Sequence, residues 1–418
     1  MGQTIIEKII QNHSKEKVRP GEIVWMDLDV RSARDFGGAN VVKHFNKEYP
    51  GEKIADTQKT IFTFDCVAPA VTIAYANNQH ICRQFAREQN IRVFDVDSGI
   101  GSHIMIEDGY ALPGMTIVGT DSHLNIVGAV GAFGQGMGDQ DIAFSFKTGK
   151  TWFEVPETIK IILKGKFNYP TTAKDLTLFI VGKLGSKGAL GKAIEFYGDS
   201  IDVLDLDGRI TLASMATEMG AIASLIPPSK EIIDFCQNVT IGEKEFQTIY
   251  ADSDANYCSV LEIDVSNLEP QISVPSKPDN VHPVKNYGDK IIHSVFIGSC
   301  TNGRFGDFSV AAELLKGRRI KKEVMAKIVP ATRKVYKKLL DEGLIEIFFN
   351  AGFIISHPSC AGCASGQIGM TGKGEVQIST SNRNFVGKQG DGETFLASPL
   401  TAVASALIGR ITSPEEVL

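Results

Sequence analysis

Three cysteines in two segments constrain this chain more than any other feature: Cys300 in Gly-Ser-Cys-Thr-Asn-Gly-Arg (298–304), and Cys360 with Cys363 in His-Pro-Ser-Cys-Ala-Gly-Cys (357–363). Their Gly, Ser, Pro and Asn neighbours place all three in loops. A Cys-x-x-Cys pair alone is compatible with a zinc half-site, for which His357 could supply a further ligand. It is also compatible with a redox dithiol, although that motif is expected near a chain start, at a helix N-terminus after a strand. Three thiolates from two loops, with no fourth cysteine nearby, suit a cubane iron–sulfur cluster with one iron left open.

At 418 residues the chain exceeds what one hydrophobic core usually supports. A net charge of −6 argues against a general nucleic-acid or acidic-membrane partner, so anionic substrates need local Arg or Lys. The seven cysteines are an odd count spread over a long chain, which points to a reducing compartment and not to a disulfide framework. Cys66, Cys82, Cys236 and Cys258 sit in mixed or apolar surroundings, and most of them read as buried small hydrophobes. Residues 1–19 alternate apolar and charged with no secretory pattern, and the apolar run at 397–409 is too short to span a bilayer. The expectation is a cytoplasmic protein with no membrane and no nucleic-acid partner.

Ile5, Ile6, Ile9 and Ile10 recur at helical spacing, while 92–96, 116–118, 159–163, 291–297 and 375–378 read as short buried strands. Strands alternating with helical stretches imply parallel α/β layers. Residues 270–283, rich in Pro, Ser and Asn, read as a linker. Three α/β/α domains follow, at 1–155, 156–285 and 286–418. The glycines at 128–138 lack a phosphate-loop context and suit close backbone approach. The basic run 316–322 reads as a solvated helix end.

Four motifs occur together: the two cysteine segments, Ser381-Asn382-Arg383-Asn384-Phe385, and Gly119-Thr120-Asp121-Ser122-His123. This layout resembles the aconitase superfamily, most closely the large subunits of 3-isopropylmalate dehydratase and the homoaconitases, over nearly the whole chain. The resemblance implies three α/β/α domains around a cleft, a [4Fe-4S] cluster on Cys300, Cys360 and Cys363, and a hydro-lyase acting on a small 2-hydroxy di- or tricarboxylic acid. It implies no swivelling fourth domain in this chain, so the expected partner is a small subunit that carries one, in a heterodimer or heterotetramer.

Matched motif by motif, the resemblance implies that Asp121, Ser122 and His123 serve in acid–base chemistry, with Glu195 as the acidic partner of His123 and Asp65 as the family's first-domain aspartate. Asn382 and Arg383 match a loop that contacts cluster and substrate carboxylate, where a planar guanidinium suits bidentate recognition. Taken alone, Glu195 or Asn382 reads as a capping or loop residue.

Four positions depart from the family. Cys66 stands where a histidine follows the aspartate, and a thiol is no substitute for imidazole as a donor poised near neutral pH. Ser102 stands where another histidine is usual, with His103 one place later as the candidate to take over its catalytic role. Leu28 replaces a His or Gln, and Lys388 replaces an arginine. The expectation is a cluster-bearing hydro-lyase with an altered substrate pocket formed by Asn382, Arg383, Lys388, Cys66 and Ser102. The alternatives are a paralogue using sulfur chemistry at Cys66, or an apo form that binds RNA.

Overall fold

The computed structural model describes residues 2–240, 245–363 and 366–418, and of Cys363 the backbone alone. Among the described residues three larger sheets follow one another along the chain, beside a two-stranded antiparallel ladder of Ile23–Asp27 with Lys150–Glu154. The first is all parallel, in the order Arg92–Phe94, Thr60–Thr63, Val30–Arg34, Thr116–Gly119, Phe133–Gly136. The second is parallel with four strands, Ala223–Leu225, Ala193–Tyr197, Thr158–Lys164 and Ser259–Asp264. In the third, Val376–Ser379, Ser294–Ile297, Met325–Ile328 and Ile354–Ile355 run parallel with Glu393–Ala397 at the flank. All-parallel sheets bury both faces under helices, as expected for α/β layers.

The stretch read as a linker is not one. Gln271–Ser273 and Val281–Pro283 pair antiparallel and extend the third sheet through Ile272 opposite Ala397. Gln271, Ile272 and Ser273 are buried, and Pro283 is tolerated because it lies on the outermost strand. The breakers signal a hairpin edge, not a free connection.

The isoleucine spacing forms the helix Ile5–His13, capped by Thr4 and Glu7, with Ile5, Ile6, Ile9 and Ile10 buried. The late apolar run forms the buried helix Pro399–Ile408. Gly128 lets the first-sheet layer meet the second: a Cβ there would sit 1.6 Å from Ser224 O. Residues 316–322 are mostly exposed beyond the end of the helix Phe305–Leu315. One apolar core runs through the first two sheets, from Val30 and Ile117 to Ile161 and Phe196, and reaches Cys300 and Cys360. The sheets therefore converge on the cysteine loops.

Candidate functional site

Cys300 follows the strand Ser294–Ile297 and is 2% exposed; Cys360 follows Ile354–Ile355 and is 3% exposed. Each has a non-glycine neighbour in left-handed conformation, Ser299 at φ 74° and Ala361 at φ 49°. Such strain persists only where surroundings over-determine it, and it clusters at functional sites. Here the surroundings are explicit. Cys360 N donates to Asp65 O at 2.9 Å, and His103 Nε2 donates to Cys300 O at 3.0 Å. The Cys300 thiol donates to Asn382 Oδ1 at 3.3 Å. Burial, then the charge of Cys360, pushes that thiol well above its usual range. Cys363 closes the Ala361–Cys363 turn, and its side chain lies outside the described residues.

Asn382 Nδ2, Ser359 Oγ and Gln389 Nε2 are buried without hydrogen-bond partners among the described residues. Gln389 Nε2 lies 2.4 Å from where a Cβ on Gly362 would stand. Unpaired buried donors are costly. Donors around converging thiols fit a group whose sulfurs accept hydrogen bonds, as in an iron–sulfur cluster. His357, the candidate zinc ligand, instead donates through Nε2 to Ala68 O.

The opposite wall comes from the first sheet. Arg34, at the end of the strand Val30–Arg34, donates through Nε to Asp65 Oδ1 at 2.7 Å and through Nη1 to Asp121 Oδ1 at 2.9 Å. Asp65 Oδ2 accepts Gly101 N at 2.6 Å, and burial raises the carboxyl to about 6. For Asp121, burial pushes up, but Arg34 and His123 outweigh it and hold the group below the usual carboxylate range. Asp35 accepts the backbone N–H groups of Asp65, Cys66 and Val67, which shapes the loop that carries Cys66. The Cys66 thiol lies 3.5 Å from Asp65 Oδ1 and is pushed well above its usual range by burial.

His123 does not meet Glu195. Its Nε2 lies 2.9 Å from Glu218 Oε1, and the same oxygen accepts Arg383 Nε at 2.7 Å. Burial pushes Glu218 up, yet His123 and Arg383 hold it below its ordinary value. Glu195 Oε1 accepts Ile5 N at 2.6 Å, and Oε2 accepts the hydroxyls of Tyr197 and Tyr257. It therefore tethers the first helix. Leu28 is likewise a buried core residue, and the side chain this segment sends into the site is Arg34. Ser102 is buried beside Asp121, whereas Ser122 is exposed. His103, wholly buried, is held near 3 by burial and by Arg304, so it stands neutral with Nε2 committed to Cys300 O. Lys388 lies in the loop beyond Arg383, its N–H donating to Phe385 O at 3.0 Å.

A family model described as the aconitase family (aconitate hydratase) matches residues 7–291 and 285–409. The chain belongs to the aconitase family. It is 42% identical over 418 residues to a probable 3-isopropylmalate dehydratase large subunit of Methanothermobacter thermautotrophicus, covering 99% of each chain. It is 40% identical to the 3-isopropylmalate dehydratase large subunit of Sulfurihydrogenibium sp., covering 100% of this chain and 97% of that one. A third relative, 3-isopropylmalate dehydratase large subunit 1 of Pyrococcus furiosus, is 41% identical, covering 100% and 99%. The crystal structure of holo aconitase X from Thermococcus kodakaraensis shares the fold, with TM-score 0.53 at 14% identity over 91% of this chain and 89% of that one.

The protein is thus a hydro-lyase of the aconitase family, a family that implies a [4Fe-4S] cluster. Among the described residues no helix is long and apolar enough to cross a membrane. Sequence reasoning missed Arg34, Asp35 and Glu218. It also missed Arg304, 8% exposed, which ion-pairs with Glu107 and with Asp207 at 2.8 Å and so locks the end of the Cys300 loop. Arg304 ends the Cys300 motif and could have been found there, whereas the spacing around Arg34, Asp35 and Glu218 carries no signal and only the fold brings them to the cleft.

Proposed function

We propose that this chain is the large subunit of a [4Fe-4S] hydro-lyase resembling 3-isopropylmalate dehydratase, with Cys300, Cys360 and Cys363 as ligands and a small 2-hydroxy di- or tricarboxylic acid as substrate. The observation that carries this is the convergence of Cys300 and Cys360 among buried donors that have no partners among the described residues. When bound, the cluster supplies a Lewis-acidic iron that polarises a C–O bond.

The chain's own groups supply the rest. Arg383, oriented by Glu218, presents its remaining N–H groups to a substrate carboxylate. Glu218 fixes the ring of His123, which moves a proton at the substrate hydroxyl. Asp65 and Asp121 hold Arg34 in place from opposite sides. Cys66, protonated and bonded to Asp65, serves as a neutral pocket wall; its raised thiol counts against the sulfur-nucleophile reading. The three-unit division is retained with its second boundary moved from 285 to 270, so that the hairpin at 271–283 falls in the third unit with the sheet it extends.

A small subunit is the proposed partner. Exposed Phe36 (70%), Ile73 (82%) and Val386 (84%) rim the loops that carry Asp35, Cys66 and Arg383, and apolar rims of this kind suit a protein cover. Thiol ligation also favours the cytoplasm. The test is anaerobic reconstitution with iron and sulfide, followed by assay with and without the small subunit on isopropylmalate, homocitrate and smaller hydroxy diacids. About four irons per chain and partner-dependent turnover are expected. Stoichiometric zinc in iron-replete protein overturns the cluster, and full turnover by the isolated chain overturns the two-subunit reading.

A further inference from the structure

Lys174 stands out as a wholly buried cation that the reaction as described does not use. It lies on the helix Ala173–Leu184 of the second-sheet layer and is 0% exposed. Its Nζ donates to Thr380 O at 3.0 Å and Ser381 O at 2.8 Å, with Met215 Sδ at 3.4 Å. Among the described residues it makes no ion pair, unlike Arg34 and Arg304, which each hold two carboxylates. A buried ammonium facing only carbonyls and a thioether is expensive, and it persists only where negative charge stands nearby. Burial brings it down to about 7, and a thiolate at Cys300, the form a cluster ligand takes, leads the groups that oppose this, ahead of Asp307, Asp175 and Glu218.

The loop that Lys174 touches does not need it to hold its shape. Thr380 Oγ1 accepts Gly298 N at 2.9 Å and donates to Gly298 O at 3.0 Å, and Ser381 Oγ donates to Gln389 Oε1 at 2.9 Å. The helix is separately pinned by Asp175, which accepts Gln271 N at 2.9 Å. What Lys174 adds is charge, delivered to carbonyls one and two residues before Asn382, whose Oδ1 meets the Cys300 thiol.

We infer that Lys174 is a positioning residue for the cluster: a buried cation behind the 380–383 loop that offsets the negative charge of the Cys300 side and orients Asn382 and Arg383. This rests on the cluster reading above. Net charge and hydrogen bonding around an iron–sulfur cluster set its potential, and residues behind the ligands govern its retention.

The test uses the full chain loaded anaerobically with iron and sulfide, comparing wild type with Lys174→Gln, Lys174→Met and Met215→Leu. Circular dichroism checks folding, a redox titration followed by electron paramagnetic resonance gives the midpoint potential, and iron loss to a chelator gives retention. Both uncharged variants should shift the potential to more negative values and lose iron about 10–100-fold more readily, while Met215→Leu, which keeps the charge, should do neither. Wild-type potential and retention in the uncharged variants overturns the inference, as does an equal shift in Met215→Leu, which would make the effect one of packing. If Lys174→Met does not fold, Lys174→Gln, which keeps a donor for the carbonyls, decides. Wild type that binds no iron would overturn the cluster reading and this inference with it, a result distinct from loaded wild type with unshifted variants.

Discussion

The two walls of the cleft treat their polar groups in opposite ways. On the third-sheet side, Cys300 and Cys360 stand among donors that lack partners among the described residues, Asn382 Nδ2, Ser359 Oγ and Gln389 Nε2. On the first-sheet side, Asp65 and Asp121 share one guanidinium, and Asp35 accepts three backbone N–H groups. The first wall pairs its charges internally, although Arg34 Nη2 and Ser102 Oγ are also buried without partners among the described residues; the third gathers its open donors around the cysteines. Conserving charge within the protein makes one wall rigid, and leaving donors open makes the other a receptor.

The largest expected difference between the walls is in iron content. Cys300→Ser or Cys360→Ser, and likewise Cys363→Ser, should abolish the brown colour and the iron, whereas Cys66→Ser should retain both. Iron analysis and the broad absorbance near ~400 nm read this directly. Loss of iron in Cys66→Ser would erase the distinction, because it would make the first-sheet wall a ligand wall too.

Next comes stability. Arg34→Gln leaves Asp65 and Asp121 buried without their cation, and breaking a buried pair in this way costs about 3–5 kcal/mol. Urea unfolding should show that loss, and Arg34→Gln/Asp65→Asn should recover part of it by removing one stranded charge. An unchanged midpoint would mean that the guanidinium is not what holds this wall together.

The cysteine wall was legible in the chain because its ligand residues are grouped within short loops, and Cys300, Asn382 and Arg383 do come together. The acid–base wall was not, because its partners are far apart in sequence. His123 meets Glu218 across 95 residues, and Glu218 sits in a short turn, Met215–Met219, with no motif of its own. Glu195 lies in a recognisable stretch but points to Ile5 and two tyrosines. Leu28 and Arg34 flank the same strand, and only the direction of that strand reveals which of them enters the cleft. Five strands, Arg92–Phe94, Thr116–Gly119, Thr158–Lys164, Ser294–Ile297 and Val376–Ser379, were readable from apolar runs, whereas the 271–283 hairpin was hidden by its prolines and polar residues.

The two glutamates give a sharper comparison at smaller cost. Glu218→Gln should lower kcat/KM about 10–100-fold, since it loosens both His123 and Arg383 behind the substrate. Glu195→Gln should leave kcat/KM unchanged and cost about 0.5–2 kcal/mol of stability, as the loss of a helix cap does. Reversed effects in the reconstituted enzyme would restore Glu195 as the partner of His123.

The smallest effect concerns pH. Asp307 is raised to about 7 by burial, reinforced by the charge of Asp207, while it accepts Arg304 N at 2.9 Å and Asn302 Nδ2 at 2.8 Å. Unfolded, its carboxyl titrates near ~3.9. Between these values the folded chain keeps a proton that the unfolded chain has lost, so this contribution to stability is complete below ~4 and disappears as pH rises through about 7. Asp307→Asn removes the titration. The neighbouring amide can adapt, because Asn302 Oδ1 is buried without a partner, and turning the amide would place that oxygen against the new NH₂. The expected result is a difference in urea midpoint between wild type and variant that favours wild type near ~pH 4 and moves toward the variant up to about pH 7. Taking the difference removes the parallel slopes of Asp65 and Asp175, both raised to about 6 by burial and present in both proteins. A difference that stays flat across the window would show that Asp307 is ionised in the fold, and that the end of the Cys300 loop is held by charge alone.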